Sequence, residues 1–285
     1  MRYPTSIYNL SLIVFALFMF CGCGNGNNNA GTVTDNTIKK YAGVKSIPDS
    51  TLKNEEIPVL CYHQIRNWKS NDSKYARVYI VSLEKFKEQM KALHDSNYNY
   101  ILPDQLIAYL QNKEKLPSKP IMITFDDADA SQYTNALPEL NKNSFKGVFF
   151  IMTVVLGHNN YMSSDEVKDL ATHGHIIGCH TWNHKSVTKY TEEDWAVQIE
   201  KPIRKLESIT SMPIKYFAYP NGLWDNNAVE RIKKYGFTAA FRLWGKYDTQ
   251  DQLFKIRRII VDGNWNTTQF LKAINKDPLK NKVPA

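Results

Sequence analysis

The chain specifies an α/β fold built on a parallel sheet, and three observations predict it. From about Ile57 onward, short apolar runs of strand type alternate with amphipathic runs of helix type, the mark of βαβ units. No long linker, internal repeat or low-complexity tract interrupts this alternation, and residues 56–285 are a length that suits one such domain. Four polar clusters, at His63, Asp126-Asp127, His180 and Tyr219–Gly222, each follow directly on a strand-like run. In parallel architectures functional groups collect at that end of the strands.

The elements follow in order. Pro58-Val59-Leu60-Cys61-Tyr62 reads as a buried strand ending at His63. Ser82 opens an amphipathic helix with Phe86, Met90 and Leu93 spaced for one face. A second helix covers about Asp104–Gln111, and a strand covers Pro120–Phe125. Tyr133–Asn141 is helical and Gly147–Met152 is the next strand. Ser163 with Glu166 forms a capping box before a helix over Val167–His173, and His175–Cys179 returns as a strand. Thr191 caps a long helix reaching about Ile209, which Pro202 kinks. Lys215–Tyr219, Phe237–Phe241 and Ile256–Val261 are further strands, with a helix over Asn226–Tyr235.

The N-terminus is set apart from the fold. Arg2, an apolar run from Leu10 to Phe20 and the small residues after it read as a secretory signal over residues 1–23. The run is shorter than the roughly 20 apolar residues that span a bilayer. Gly22-Cys23 resembles a bacterial lipoprotein signal, with Phe20 standing where Leu is usual, which implies lipidation of Cys23. Residues 24–55 carry little apolar content and read as a flexible tether. The expected location is outside the cytoplasm, lipid-anchored to the cell envelope or otherwise secreted.

Export permits a disulfide between Cys61 and Cys179, the two cysteines of the mature domain. Two buried thiols are the preferred reading, because free Cys packs as a small apolar residue. The net charge of +8 comes from scattered lysines rather than a dense block, so it describes a solvated surface and not a nucleic-acid partner. A monomer is expected, touching a membrane only through its lipid.

Asp126-Asp127 and the pair His180 and His184 together hold the parts of a water-activating metal centre. A catalytic zinc takes three protein ligands and leaves one position for water. One carboxylate and two imidazoles meet that need, and the second carboxylate remains to take a proton from the water. The helical zinc motif of metalloproteases is excluded, because Thr181 rather than Glu follows the first histidine. Asp126 is therefore the economical base. Zinc is the first choice of ion, with cobalt and nickel also tolerating mixed nitrogen and oxygen ligands.

These residues resemble the NodB-type polysaccharide deacetylases, carbohydrate esterase family 4. Thr124-Phe125-Asp126-Asp127 looks like the first family motif and His180-Thr181-Trp182-Asn183-His184 the second. Phe217-Ala218-Tyr219-Pro220-Asn221-Gly222 looks like a variant of the third. The resemblance spans about residues 57–265 and implies a distorted (β/α) barrel with fewer than eight strands. It makes Asp126 the catalytic base and Asp127, His180 and His184 the metal ligands. The backbone N–H of Asn221 becomes an oxyanion donor, and Tyr219 stands beside it as a substrate residue. An acetylated polysaccharide is the implied partner.

The chain departs from the family at several places. Ala218 stands where most members carry an Arg that braces the base, and no histidine lies beyond His184 to act as the usual C-terminal acid. Pro58–Ile65 resembles the N-terminal signature of the exported poly-β-1,6-N-acetylglucosamine deacetylases, a branch with permuted motif order, which implies that His63 is the acid. Arg258 is the candidate replacement for the missing brace. Ala128 and Asp129 replace the usual Gly and aromatic residue after the acidic pair, so a different loop is expected there.

Trp182, Trp224 and Trp244 are candidates for stacking on sugar rings, against the alternative of core packing. His94, His158, His173 and His175 read as structural. The leading expectation is a metal-dependent N-deacetylase acting on an N-acetylglucosamine polymer. An O-acetyl esterase on polysaccharide or peptidoglycan is the alternative within enzymes, and a glycan-binding lipoprotein without turnover is the alternative outside them.

Overall fold

The structure is a computed structural model that describes residues 56–243, 245 and 250–275. The signal, the tether, Cys23 and Trp244 lie outside the described residues. Those described belong to one compact unit of the chain, Asn36–Ala285.

Strand β1 (Val59–Tyr62) is followed by two short strands, β2 (Gln64–Ile65) and β3 (Ile80–Val81), which pair with each other. Strand β4 (Asn99–Tyr100) pairs with β5 (Pro120–Asp126), and β5 pairs with β1 so that Leu60 faces Ile123 and Tyr62 faces Phe125. From β5 the sheet runs through β6 (Val148–Ile151), β7 (Ile176–Cys179), β8 (Tyr216–Ala218) and β9 (Ala239–Arg242). It ends on β10 (Ile256–Arg257), while β11 (Ile259–Ile260) pairs with the far side of β1. Every pairing between these strands is parallel.

Only Arg258 separates β10 from β11. The two edges of the sheet are thus successive pieces of one segment, and the nearly closed barrel is completed through it. A single strand over Ile256–Val261 was the sequence expectation. The break arises because the first half bonds to β9 and the second to β1, leaving Arg258 to turn inward between them. Its own N–H donates to the Arg242 carbonyl at 2.9 Å.

The strands are apolar on both faces because helices cover the outside and side chains fill the inside. Strands β1, β6 and β9 are buried throughout. Stacked rings of Tyr62, Phe125 and Phe149, with centroids 5.5 and 4.7 Å apart, tie β1, β5 and β6 together. The Leu83–Asp95 helix buries Phe86, Met90 and Leu93, and its N-cap Ser82 accepts a bond from the Lys85 N–H.

The long helix expected from Thr191 is Glu192–Trp195, a wide π-turn over Ala196–Glu200, and Lys201–Thr210. The π-turn sits just ahead of Pro202, and a second one, Gln132–Ala136, just ahead of Pro138. A proline lacks an N–H and crowds the carbonyl four residues back, and the wider turn relieves both. The helices Lys74–Val78 and Thr267–Ile274 and the β2–β3 pair had no sequence expectation. They are too short or too weakly periodic to stand out.

Candidate active site

The ends of β1, β5, β7 and β8 deliver His63, Asp126-Asp127, His180 and Asn221 to one end of the barrel. His63, Asp126, Asp127, His184 and Asn221 line a cleft of about 320 Å³, together with Gln64, Tyr75, Tyr79 and Leu243. His180 lies beneath it, fully buried.

Asp127, His180 and His184 form a compact group. The His180 Nε2 lies 3.4 Å from Asp127 Oδ1, and the His184 Nε2 lies 3.7 Å from the same oxygen. Ligands held about 2.0–2.2 Å from a tetrahedral zinc stand roughly 3.3–3.6 Å from one another, so these separations fit an ion between them. The His180 Nε2 and Asp127 Oδ1 are both buried, face each other without a well-formed hydrogen bond and have no other hydrogen-bond partner, as two atoms that share a cation would. On the other side of the ring, the His180 Nδ1 contacts the Ala218 carbonyl at 2.8 Å. A proton on Nδ1 satisfies that carbonyl and leaves the Nε2 lone pair free to bind a cation. The donor set therefore fits a divalent metal.

The local backbone is bent to make this arrangement. Asp127, His184 and Asn221 adopt positive φ angles of 76°, 65° and 57°. Left-handed backbone at a non-glycine residue costs about 1–3 kcal/mol and gathers at functional sites. Asn221 precedes Gly222, also left-handed, where an added Cβ would stand 2.5 Å from that of Leu243. Ala128 shares the strain with a φ of 62°, at the place where the family resemblance expected Gly.

Asp126 sits at the foot of the cleft, 2% exposed. Its Oδ1 and Oδ2 accept from the two terminal nitrogens of Arg258 at 2.6 and 2.7 Å. Burial pushes its carboxyl pKa up, yet the Arg258 guanidinium, with His180 and His63, holds it well below the usual carboxylate range. Cys61 approaches Asp126 Oδ2 at 3.5 Å, and burial keeps its thiol protonated. Cys61, His63 and Asp126 also gather their donor atoms within 4.8 Å. They do not offer a second ion site, because Arg258 takes both Asp126 oxygens and Cys61 is a thiol.

The family model described as "Polysaccharide deacetylase" matches residues 113–240. The poly-β-1,6-N-acetyl-D-glucosamine N-deacetylase of Staphylococcus aureus (strain MRSA252) is 29% identical over 239 residues, covering 75% of this chain and 82% of its own. A polysaccharide deacetylase crystal structure from Bacillus cereus superposes with a TM-score of 0.67 at 25% identity, covering 77% of this chain and 69% of that one. The Streptococcus pyogenes deacetylase PplD, solved with acetate, gives a TM-score of 0.71 at 21% identity, covering 77% and 98%. Over residues 113–240 the chain carries a polysaccharide deacetylase domain. Its barrel is the NodB-type (β/α) barrel of these deacetylase structures, and its class is that of hydrolases acting on non-peptide carbon–nitrogen bonds.

In this deacetylase domain the matched segment contains the acidic pair, both histidines and the Asn221 turn, while His63 and Arg258 lie outside it. The His63 ring meets Tyr79 edge-on at 5.0 Å, and its Nδ1 is buried without a partner. Burial lowers the His63 pKa, and Asp127 and Asp126 oppose that shift. Burial also lowers the pKa of His184, to about 4, favouring the neutral imidazole that a metal requires.

Several expected residues lie elsewhere. Tyr219 does not reach substrate: its side chain is fully buried against Phe217, and its N–H donates to the Phe241 carbonyl. The tyrosine is apolar filling between β8 and β9. Trp224 packs half-buried against the core, with Lys255 Nζ 4.4 Å from its ring centroid, and Trp182 lies 5.7 Å from Lys201 Nζ. Neither tryptophan is on the cleft wall. The aromatic residues there are Tyr75 and Tyr79. Cys61 and Cys179 are free buried thiols.

Gln132 is a further residue of the site that was not singled out from the sequence. Its amide donates to the carbonyls of both His63 and Asp126, pinning the end of β1 to the end of β5. A buried Gln in the turn after an acidic pair was the available signal.

Proposed function

We propose that this domain hydrolyses N-acetyl groups of an N-acetylglucosamine-containing polysaccharide in a divalent-metal-dependent reaction that releases acetate. The observation that carries the reading is the convergence of Asp127, His180 and His184, with two orphaned buried donor atoms, beside an Arg-braced Asp126 at an open cleft. A purely binding domain has no use for a buried carboxylate held ionised next to such a group. The matched S. aureus deacetylases support the N-acetylglucosamine polymer as substrate class.

Asp127, His180 and His184 would hold the ion, with zinc the first choice for this donor set and cobalt or nickel as alternatives. When bound, the ion supplies Lewis-acid polarisation of the acetyl carbonyl and acidifies a water. Asp126 accepts one proton from the attacking water, while Arg258 keeps the carboxylate ionised and aimed. The water oxygen bonds to the amide carbon, and the backbone N–H of Asn221 donates to the oxygen that gains charge. His63, protonated, then gives its proton to the nitrogen as the carbon–nitrogen bond breaks. Without that proton the leaving group would be an amine anion. The products are acetate and a free amine on the sugar.

The N-terminal signal and Cys23 support export and lipid anchoring, and a monomer is sufficient because one chain supplies every proposed group. The test is acetate release from N-acetylglucosamine oligomers, with metal supplied, by the wild type and by Asp126→Asn. Release by the wild type and its loss in the variant support the reading. A wild type that releases acetate only from O-acetylated sugars moves the assignment to an esterase.

A further inference from the structure

The cleft is small for a polymer. Its volume of about 320 Å³ lies at the lower end of ligand clefts, which run about 300–1,000 Å³. A chain of sugars reacting there can place one unit in the cleft, and its neighbours must lie across the rim.

The rim nearest His63 is aromatic. Tyr75, on the Lys74–Val78 helix, is 73% exposed, the highest exposure among the large apolar side chains described. Its hydroxyl is 3.2 Å from that of Tyr79, and the two ring centroids lie 5.4 Å apart. Tyr79 in turn meets the His63 ring. Three rings thus lead from open solvent to the residue assigned the proton transfer. An exposed aromatic ring beside a reactive cleft offers the flat apolar surface on which the C–H face of a pyranose packs.

The segment that carries these rings is held firmly. Arg66 grips Asp72 through two bonds, at 2.8 and 3.0 Å. The Trp68 indole N–H donates to the Ile80 carbonyl at 2.8 Å, with Arg77 and Lys85 4.9 and 5.3 Å from its ring centroid. The Ile65 N–H donates to Ser131 Oγ and the Asn135 amide to the Ile65 carbonyl, at 2.9 and 2.7 Å, fastening the segment to the turn after Asp126. A surface fixed in advance loses little entropy when a ligand settles on it.

We propose that Tyr75 and Tyr79 form a sugar-stacking subsite for the unit next to the one being deacetylated, making the protein an enzyme of oligomers rather than of the single sugar. This rests on the functional reading above. The experiment measures acetate release from N-acetylglucosamine oligomers of two to six units by the metal-loaded full chain. Tyr75→Ala, Tyr75→Phe and Tyr75→Trp are compared with the wild type. A parallel arm measures oligomer affinity by calorimetry in an Asp126→Asn background.

Tyr75→Ala is expected to raise KM and weaken affinity for the longer oligomers about tenfold, with kcat nearly unchanged. The Phe and Trp variants keep the ring and stay within about twofold of the wild type. Unchanged affinity in Tyr75→Ala, or equal losses in Tyr75→Ala and Tyr75→Phe, overturns the stacking subsite. A wild type that releases no acetate overturns the functional reading instead, and the affinity arm still decides the subsite.

Discussion

The guanidinium of Arg258 meets both carboxylate oxygens of Asp126, at 2.6 and 2.7 Å, with the arginine side chain fully buried and the carboxylate open only to the foot of the cleft. Thr124 shares the same guanidinium through its hydroxyl at 3.1 Å. Removing one partner of a buried ion pair leaves an uncompensated charge and costs about 3–5 kcal/mol. Arg258→Met is therefore expected to lower stability by that amount and to reduce kcat steeply. The double variant Asp126→Asn, Arg258→Met should regain part of the stability and none of the activity. Urea unfolding midpoints of the two variants check this, and equal stabilities would show the pair to be energetically idle.

The metal prediction concerns binding as well as turnover. An ion that binds the native state alone stabilises it by about 2.7 kcal/mol at a hundredfold excess over Kd. Zinc added to chelated protein should therefore raise Tm, and His184→Ala or Asp127→Ala should remove the rise along with acetate release. Equal zinc-induced shifts in wild type and His184→Ala would place any bound ion elsewhere.

His63→Ala tests the proton donor. General acid catalysis contributes roughly 10²–10⁴-fold, so kcat for amide substrates should fall within that range. An acetate ester of a good leaving group needs no such proton, and its turnover should fall far less. If amide and activated ester suffer equally, His63 does something other than donate a proton.

His175 gives a pH prediction remote from the chemistry. Its Nδ1 accepts the Gly147 N–H at 3.1 Å, and its Nε2 is buried without a partner. Burial lowers its pKa from 6.5 to about 4. The folded state thus resists a proton that the unfolded state takes up readily. The stabilisation from a neutral His175 is complete above about pH 6.5 and is lost as pH falls toward 4, a matter of a few kcal/mol. His175→Asn can keep an acceptor for Gly147 without titrating. Its stability should be flatter over that window, as seen in Tm against pH.

Much of this site was legible in the sequence because its parts sit at strand ends. A carboxylate pair closing an apolar run and two histidines after another run state their position through periodicity alone. Arg258 came into view only through the resemblance, as a replacement for the brace missing at Ala218, and it stood inside the expected strand Ile256–Val261 rather than at its end. The break of that segment was not legible, because hydrogen-bonding partners belong to the sheet and leave no trace in local pattern. Tyr219 and Trp224 misled for a related reason. An aromatic beside a motif is equally compatible with facing the cleft and with facing the core, and only the turn at Asn221-Gly222 decides which way each points. Tyr75 and Gln132 lie in helical turns of five residues, too short for periodicity to mark a face.

The seam of the barrel at Arg258 has a consequence for how the protein comes to life. Asp126 gains its brace only when the segment that joins β9 to β1 has docked, and that segment follows both histidines in the sequence. During synthesis, the acidic pair and both histidines emerge long before their brace does. Hydrolytic competence is thereby tied to the docking of this segment, and a chain cut short before residue 258 would display its acidic pair yet remain inert.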